Sequence, residues 1–77
     1  MAIGFVLIRA APGMERDVYE RLQKLKSITE LYPLFGEYDF LAKLIAEDFQ
    51  AMGELIVDEI RTIPNIIETK TFTTVSL

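Results

Sequence analysis

"ITELYPLFGEYDFLAKLIA", residues 28–46, is two apolar extended runs joined by a short polar turn, with no helix between them. The first run, Ile28 to Phe35, contains Pro33. Proline brings no N–H to a hydrogen-bond ladder, so this strand is expected at a sheet edge. Gly36 to Asp39 form the turn, and "FLAKLIA", residues 40–46, forms the next strand.

Outward from this hairpin, each side adds one helix and one strand. Upstream, "AIGFVLIRA", residues 2–10, is dense in branched and aromatic residues and is closed by Pro12-Gly13. In "MERDVYERLQKLKSI", residues 14–28, Met14, Val18, Leu22 and Leu25 recur at helical spacing. Arg16–Glu20, Asp17–Arg21 and Glu20–Lys24 are opposite charges four residues apart, which suits the solvent side of that helix. Downstream, Asp48 offers the N-cap of a second helix with the apolar stripe Phe49, Met52, Ile56, Ile60 and Ile63. Gly53 weakens this helix and Pro64 stops it. "NIIETKTFTTVSL", residues 65–77, is the fourth strand.

The order βαββαβ, in one domain over residues 1–77, predicts a ferredoxin-like α+β fold. Right-handed crossovers put both helices on one face of a four-stranded antiparallel sheet whose middle strands are the first and third. Pro33 on the second strand agrees with that order. So does a faint internal repeat at an offset of 38, which aligns Leu25 with Ile63, Ile28 with Ile66 and Glu30 with Glu68.

The sheet face away from the helices should be polar in a monomer. Here Ile3, Phe5 and Leu7 alternate with Gly4, Val6 and Ile8, and Leu41, Lys43 and Ile45 alternate with Phe40, Ala42 and Leu44, so neither parity is polar. Such a face would expose roughly several hundred Å², more than soluble monomers usually tolerate. Covering it stabilises each subunit at about 25 cal/mol per Å² before ordering costs. Two sheets packed face to face in a homodimer are therefore expected. Association is also the staple that remains: a chain of 77 residues buries a modest core, and it has no cysteine for disulfides.

Twelve acids against eight bases give a net charge of −4, and no basic cluster exists to neutralise phosphates, so direct nucleic-acid binding is not expected. The longest apolar run, Ile3 to Ile8, is too short to span a membrane and no basic segment precedes it, so a soluble cytoplasmic protein without membrane contact is expected. The absence of His and Cys removes the commonest general base, thiol nucleophile and metal ligands. Glu47-Asp48 and Asp58-Glu59 are acids that point to different sides of a helix. No Gly-rich phosphate loop follows the first strand. Neither an enzyme nor a cofactor or metal site is expected.

The turn Gly36-Glu37-Tyr38-Asp39 has two readings. It is a solvated hairpin tip in which Asp39 accepts backbone N–H bonds, or it is a small polar site. The pattern Gly-x-x-Asp between strands two and three (Gly36, Asp39), then Ile63-Pro64 ending the second helix, then Thr69 and Thr71 on the last strand, resembles the effector-binding (RAM) domain of the Lrp/AsnC family of transcription regulators. The resemblance runs from the first strand to the last. Full-length members carry an N-terminal helix-turn-helix, and nothing precedes the first strand here, so the sequence is similar to the family's stand-alone version and DNA binding is not carried over.

The resemblance implies a module that dimerises through its sheets, assembles into rings of dimers, mixes with full-length regulators of the family and binds a free amino acid where dimers meet. An amino acid buries two opposite charges, and each needs a partner. Asp39 would take the ammonium and N–H groups around Gly36 the carboxylate. Thr69 and Thr71 would add hydroxyls, and Tyr38 or Tyr32 would wall the side chain. An assembly domain without ligand, and a small ferredoxin-like enzyme using Asp39, Tyr38 or Arg9, are the alternatives.

Overall fold

The computed structural model describes all 77 residues. β1 (Ala2–Ala10), α1 (Glu15–Gln23), β2 (Ile28–Pro33), β3 (Phe40–Ala46), α2 (Phe49–Leu55) and β4 (Ile66–Thr73) follow one another along the chain. The strands form one antiparallel sheet in the order β2-β3-β1-β4, the expected ferredoxin-like fold, with Pro33 on an edge strand. The repeat is structural as well. Ile28 and Ile66 open the two edge strands, and Leu25, Ile28, Ile63 and Ile66 all pack against the core.

Alternation along β1 builds that core. Ala2, Gly4, Val6, Ile8 and Ala10 are buried on the helix side. They meet Phe40, Ala42 and Leu44 of β3, Val18 and Leu22 of α1, and Met52, Ile56 and Ile60. Tyr19 stacks on Phe40 with ring centroids 5.6 Å apart, fixing α1 over β3. The other parity puts Ile3, Phe5 and Leu7 beside Ile45, Leu41 and Phe72 on the helix-free face, where they stay partly exposed. No helix is long and apolar enough to cross a membrane.

Three local expectations are corrected. α1 ends at Gln23, because Lys24 N–H donates to Arg21 O and Leu25 N–H to Leu22 O (3.2 and 3.1 Å), a tightening to three-residue turns that drops Leu25 beside the core. Of the three anticipated charge pairs only Asp17–Arg21 forms, at 3.2 Å. Phe49 leaves the apolar stripe and is 61% exposed. On a 3.6-residue period it sits about 60° round from Met52, while the stripe's four-residue steps turn it the other way.

Those same steps from Met52 to Ile56 to Ile60 outrun an α-helix. The helix answers with a π-helical turn over Ile56–Ile60, in which Arg61 N–H donates to Ile56 O at 2.9 Å. The wider turn keeps Ile60 fully buried. At the helix start, Asp48 caps as expected, its side chain accepting from Ala51 N–H at 2.8 Å.

Gly4 decides how closely α2 approaches the sheet: a Cβ there would lie 2.8 Å from Met52 Sδ. Gly4→Val is expected to overpack this contact and lower stability by about 1–3 kcal/mol. Urea unfolding of the variant against wild type checks it; an unchanged midpoint would mean Met52 moves aside freely.

Candidate functional site

The turn expected to carry the chemistry is tied down at its base. Leu34 N–H donates to Asp39 O (2.8 Å), closing the loop, and Asp39 N–H donates to Ile8 O (2.9 Å). Asp39 Oδ2 accepts from Ala10 N–H at 2.7 Å, so the carboxylate satisfies the last N–H of β1 rather than one within its own hairpin. Gly36 has φ 151°, a conformation that L side chains rarely adopt. Phe35, expected inside the strand, lies beyond it at the tip and is fully exposed.

Beyond the base, side chains take over. The Tyr38 ring lies beneath the Arg9 guanidinium, 5.1 Å from ring centroid to Cζ. Tyr38 OH donates to Glu68 Oε2 at 3.2 Å. Arg9 Nε stands 3.2 Å from Glu68 Oε1, and the Arg9 head reaches Glu37 Oε2 at 3.6 Å. Arg9 Nε is buried, yet no acceptor lies in line with its N–H. Its contact with Glu68 is thus a charge contact without a directed hydrogen bond.

Thr69 and Thr71 do not join this cluster. They are register partners of Ile8 and Val6, so they project to the helix side, whereas Glu68, opposite Arg9, projects to the open face. On the helix side they line a groove of about 500 Å³ between the π turn and β4. Ile56, Ile66 and Ile67 share its lining with Arg61, which brings a positive charge, and its exposed surface is mainly polar. Arg61 takes part in no ion pair within the chain.

Glu68 sits on the strand that edges the groove, with its carboxylate held on the open face by Arg9 and Tyr38. Sequence reasoning singled out neither Glu68 nor Arg61 as a site residue. The repeat held the available signal: its matched acids, Glu30 and Glu68, each sit beside a cation of a middle strand and each accept from a tyrosine. For Glu30 the partners are Lys43 Nζ at 3.2 Å and Tyr32 OH. Tyr32, paired with Leu41, stands on the open face and does not wall the groove.

A family model described as the Lrp/AsnC ligand binding domain matches residues 3–76. The chain belongs to this family. An uncharacterized HTH-type transcriptional regulator of Pyrococcus abyssi is 31% identical over 70 residues, which are 87% of this chain and 47% of that protein. The leucine-responsive regulatory protein of Escherichia coli is 27% identical over 70 residues, 91% of this chain and 43% of that protein. Among solved structures, FFRP-DM1 superposes with a TM-score of 0.90 at 32% identity, covering 97% of this chain and all of that one. The chain spans about half the length of the curated relatives it matches.

Within this Lrp/AsnC domain two groups titrate away from their ordinary values. The hydrogen bond from Tyr32, then Lys43, holds the Glu30 carboxyl low, and Glu30 in turn pushes the Tyr32 phenol up. A depressed carboxylate favours the folded state above its ordinary 4.5 and loses that contribution as pH falls. A raised phenol favours it below its ordinary 10.0 and loses it as pH rises past that value. Tyr32→Phe is expected to move the Glu30 midpoint upward toward 4.5, read by carboxyl-carbon NMR titration. Asp39→Ala strands the half-buried Ala10 N–H and is expected to cost about 1–3 kcal/mol in chemical denaturation, whether or not any ligand is present.

Proposed function

We propose that this domain is an effector-binding and assembly module whose effector is a free amino acid. The observation that carries the reading is the groove beside β4. It brings an unpaired guanidinium (Arg61), two threonine residues and three isoleucines together around about 500 Å³, along the strand that also carries Glu68. A zwitterion with an apolar side chain needs a cation for its carboxylate, which Arg61 supplies, hydrogen-bonding groups for its ammonium, and apolar surface for the rest. The volume falls inside the range of roughly 300–1,000 Å³ usual for small-ligand sites. Thr69 and Thr71 are part of the groove's polar lining, and Gly36, Tyr38 and Asp39 form the hairpin on the other side of the same strand, which Tyr38 touches through Glu68. That the Escherichia coli relative is named leucine-responsive supports an amino acid as the class.

The second part of the proposal is association. Ile3, Phe5, Leu7, Leu41, Ile45 and Phe72 leave the helix-free face too apolar for solvent, and a second copy packed sheet to sheet covers it. Rings of such dimers, and mixed assembly with longer family members through the same face, extend this reading. The effector would act by binding one assembly state more tightly than another, and its leverage equals that difference in affinity.

A thermal-shift panel of the twenty amino acids tests the effector. At a hundred times its dissociation constant, a ligand is expected to stabilise the fold by roughly 2.7 kcal/mol, several degrees for a domain this size. Arg61→Gln should remove the shift. No shift with any amino acid would leave an assembly domain alone. Sedimentation at micromolar concentration is expected to give at least twice the 8.8 kDa chain mass, in even multiples if dimers form rings, and a monomer there would refute the sheet-to-sheet dimer.

A further inference from the structure

Lys43 is the charge that interrupts the apolar middle of the helix-free face. It stands on a middle strand between Leu41 and Ile45, with Phe5 beside it on β1. A cover that keeps water from those residues also takes in this ammonium. Glu30 meets it from the edge strand: Lys43 Nζ lies 3.2 Å from Glu30 Oε2, and Tyr32 OH donates to Oε1. A β-bulge brings Glu30 there, because the register slips between Ile28 and Glu30. Continued without the slip from Ile28 opposite Leu44, the ladder would set Glu30 opposite the buried Ala42, on the helix side. Thr29, the extra residue, secures the bulge by donating its hydroxyl to Lys43 O at 3.1 Å.

Resting on the sheet-to-sheet reading above, we propose that Glu30 is the residue that lets this face accept a second copy, because it cancels Lys43 before the face is covered. In a lone chain the pair is partly exposed and contributes little to the fold. Between two sheets it leaves water as a preformed neutral unit. Without the carboxylate each subunit would bring an unpaired cation into the interface, and a two-fold dimer would do so twice. The dependence is one-sided. Without the ammonium, Glu30 still sits at the sheet edge with Tyr32 donating to it, so its charge stays in contact with water. Lys70, opposite Leu7 on the same face, belongs to the outer strand β4, is exposed and takes part in no ion pair. Its long stem carries its head past the edge into solvent. Lys43 starts one strand further in and is turned onto Glu30.

The test is sedimentation equilibrium over a dilution series of wild type, Glu30→Gln, Lys43→Met and the double variant, with circular dichroism confirming the fold of each. Glu30→Gln is expected to raise the dissociation constant of the dimer about tenfold or more. Lys43→Met should leave it unchanged or lower it, and combined with Glu30→Gln should bring the constant back to within about threefold of wild type. A pair that stays in solvent predicts less than about a threefold change in Glu30→Gln. A Glu30 that contacts the partner itself predicts no rescue in the double variant. Either result overturns the inference and leaves the dimer intact. Should Glu30→Gln fail to fold, Lys43→Met still decides, since a weaker dimer there overturns the inference and an equal or tighter one upholds it. A wild type that is monomeric throughout removes the dimer reading and this inference together, which separates the two failures.

Discussion

Everything in this molecule depends on β1 lying between two neighbours and being apolar on both of its faces. One parity (Ala2, Gly4, Val6, Ile8, Ala10) is small or branched and seats the helices; the other (Ile3, Phe5, Leu7) is large and meets no helix. A strand with this composition cannot be an edge, and β3 on one side and β4 on the other keep its ladder satisfied. The helix side is then limited by how closely α2 can approach, which Gly4 permits, and by the reach of Ile60, which the π turn restores. Only twelve buried apolar residues make the core, so the uncovered parity represents a large share of the stabilisation still available to the chain.

The edge strands solve a different problem with one repeated device. Each begins with an isoleucine on the core and then presents a glutamate to a cation on the adjacent middle strand, Glu30 to Lys43 and Glu68 to Arg9, with a tyrosine hydroxyl as second donor. Charges on exposed edges discourage strand addition by other chains. The two copies differ in their surroundings. Tyr32 belongs to the same strand as Glu30, so the first cluster is local and fixes only β2 on β3. Tyr38 comes from the hairpin, so the second cluster fastens a loop, a middle strand and an edge strand together, and it does so beside a groove.

Much of the fold was legible because period and punctuation agree with packing here. The bounds of β1 and β3, the capping by Asp48 and the edge position of Pro33 follow from alternation, an acceptor side chain and a missing N–H. The ends of α1 and α2 were not legible, because Leu25 and Ile60 reach the core only through turns that depart from 3.6 residues. The hairpin was half legible. Gly36 and Asp39 announce a turn, but the partner of Asp39, Ala10 N–H, is 29 residues away. The family resemblance groups the two threonines with the hairpin, and β4 register turns them to the opposite face. Arg61 carried no signal beyond being a basic residue after a helix. It matters because the π turn brings it beside β4.

The hairpin has two ends of unequal strength, and this shapes how any signal could pass through it. Its base is held by main-chain bonds from Leu34 and Asp39 and by the Asp39 carboxylate on Ala10. These are short, directed and partly buried, so they open only with the end of β1. Its upper part is held by half-exposed side chains, Tyr38 and Arg9 on Glu68, at 3.2 Å and with one contact lacking alignment. Local opening draws on the weaker end first. Asp39 is therefore a poor place to look for a switch, since removing it disturbs the strand that carries the whole core. Glu68 and Arg9 can change partners while that strand stays intact.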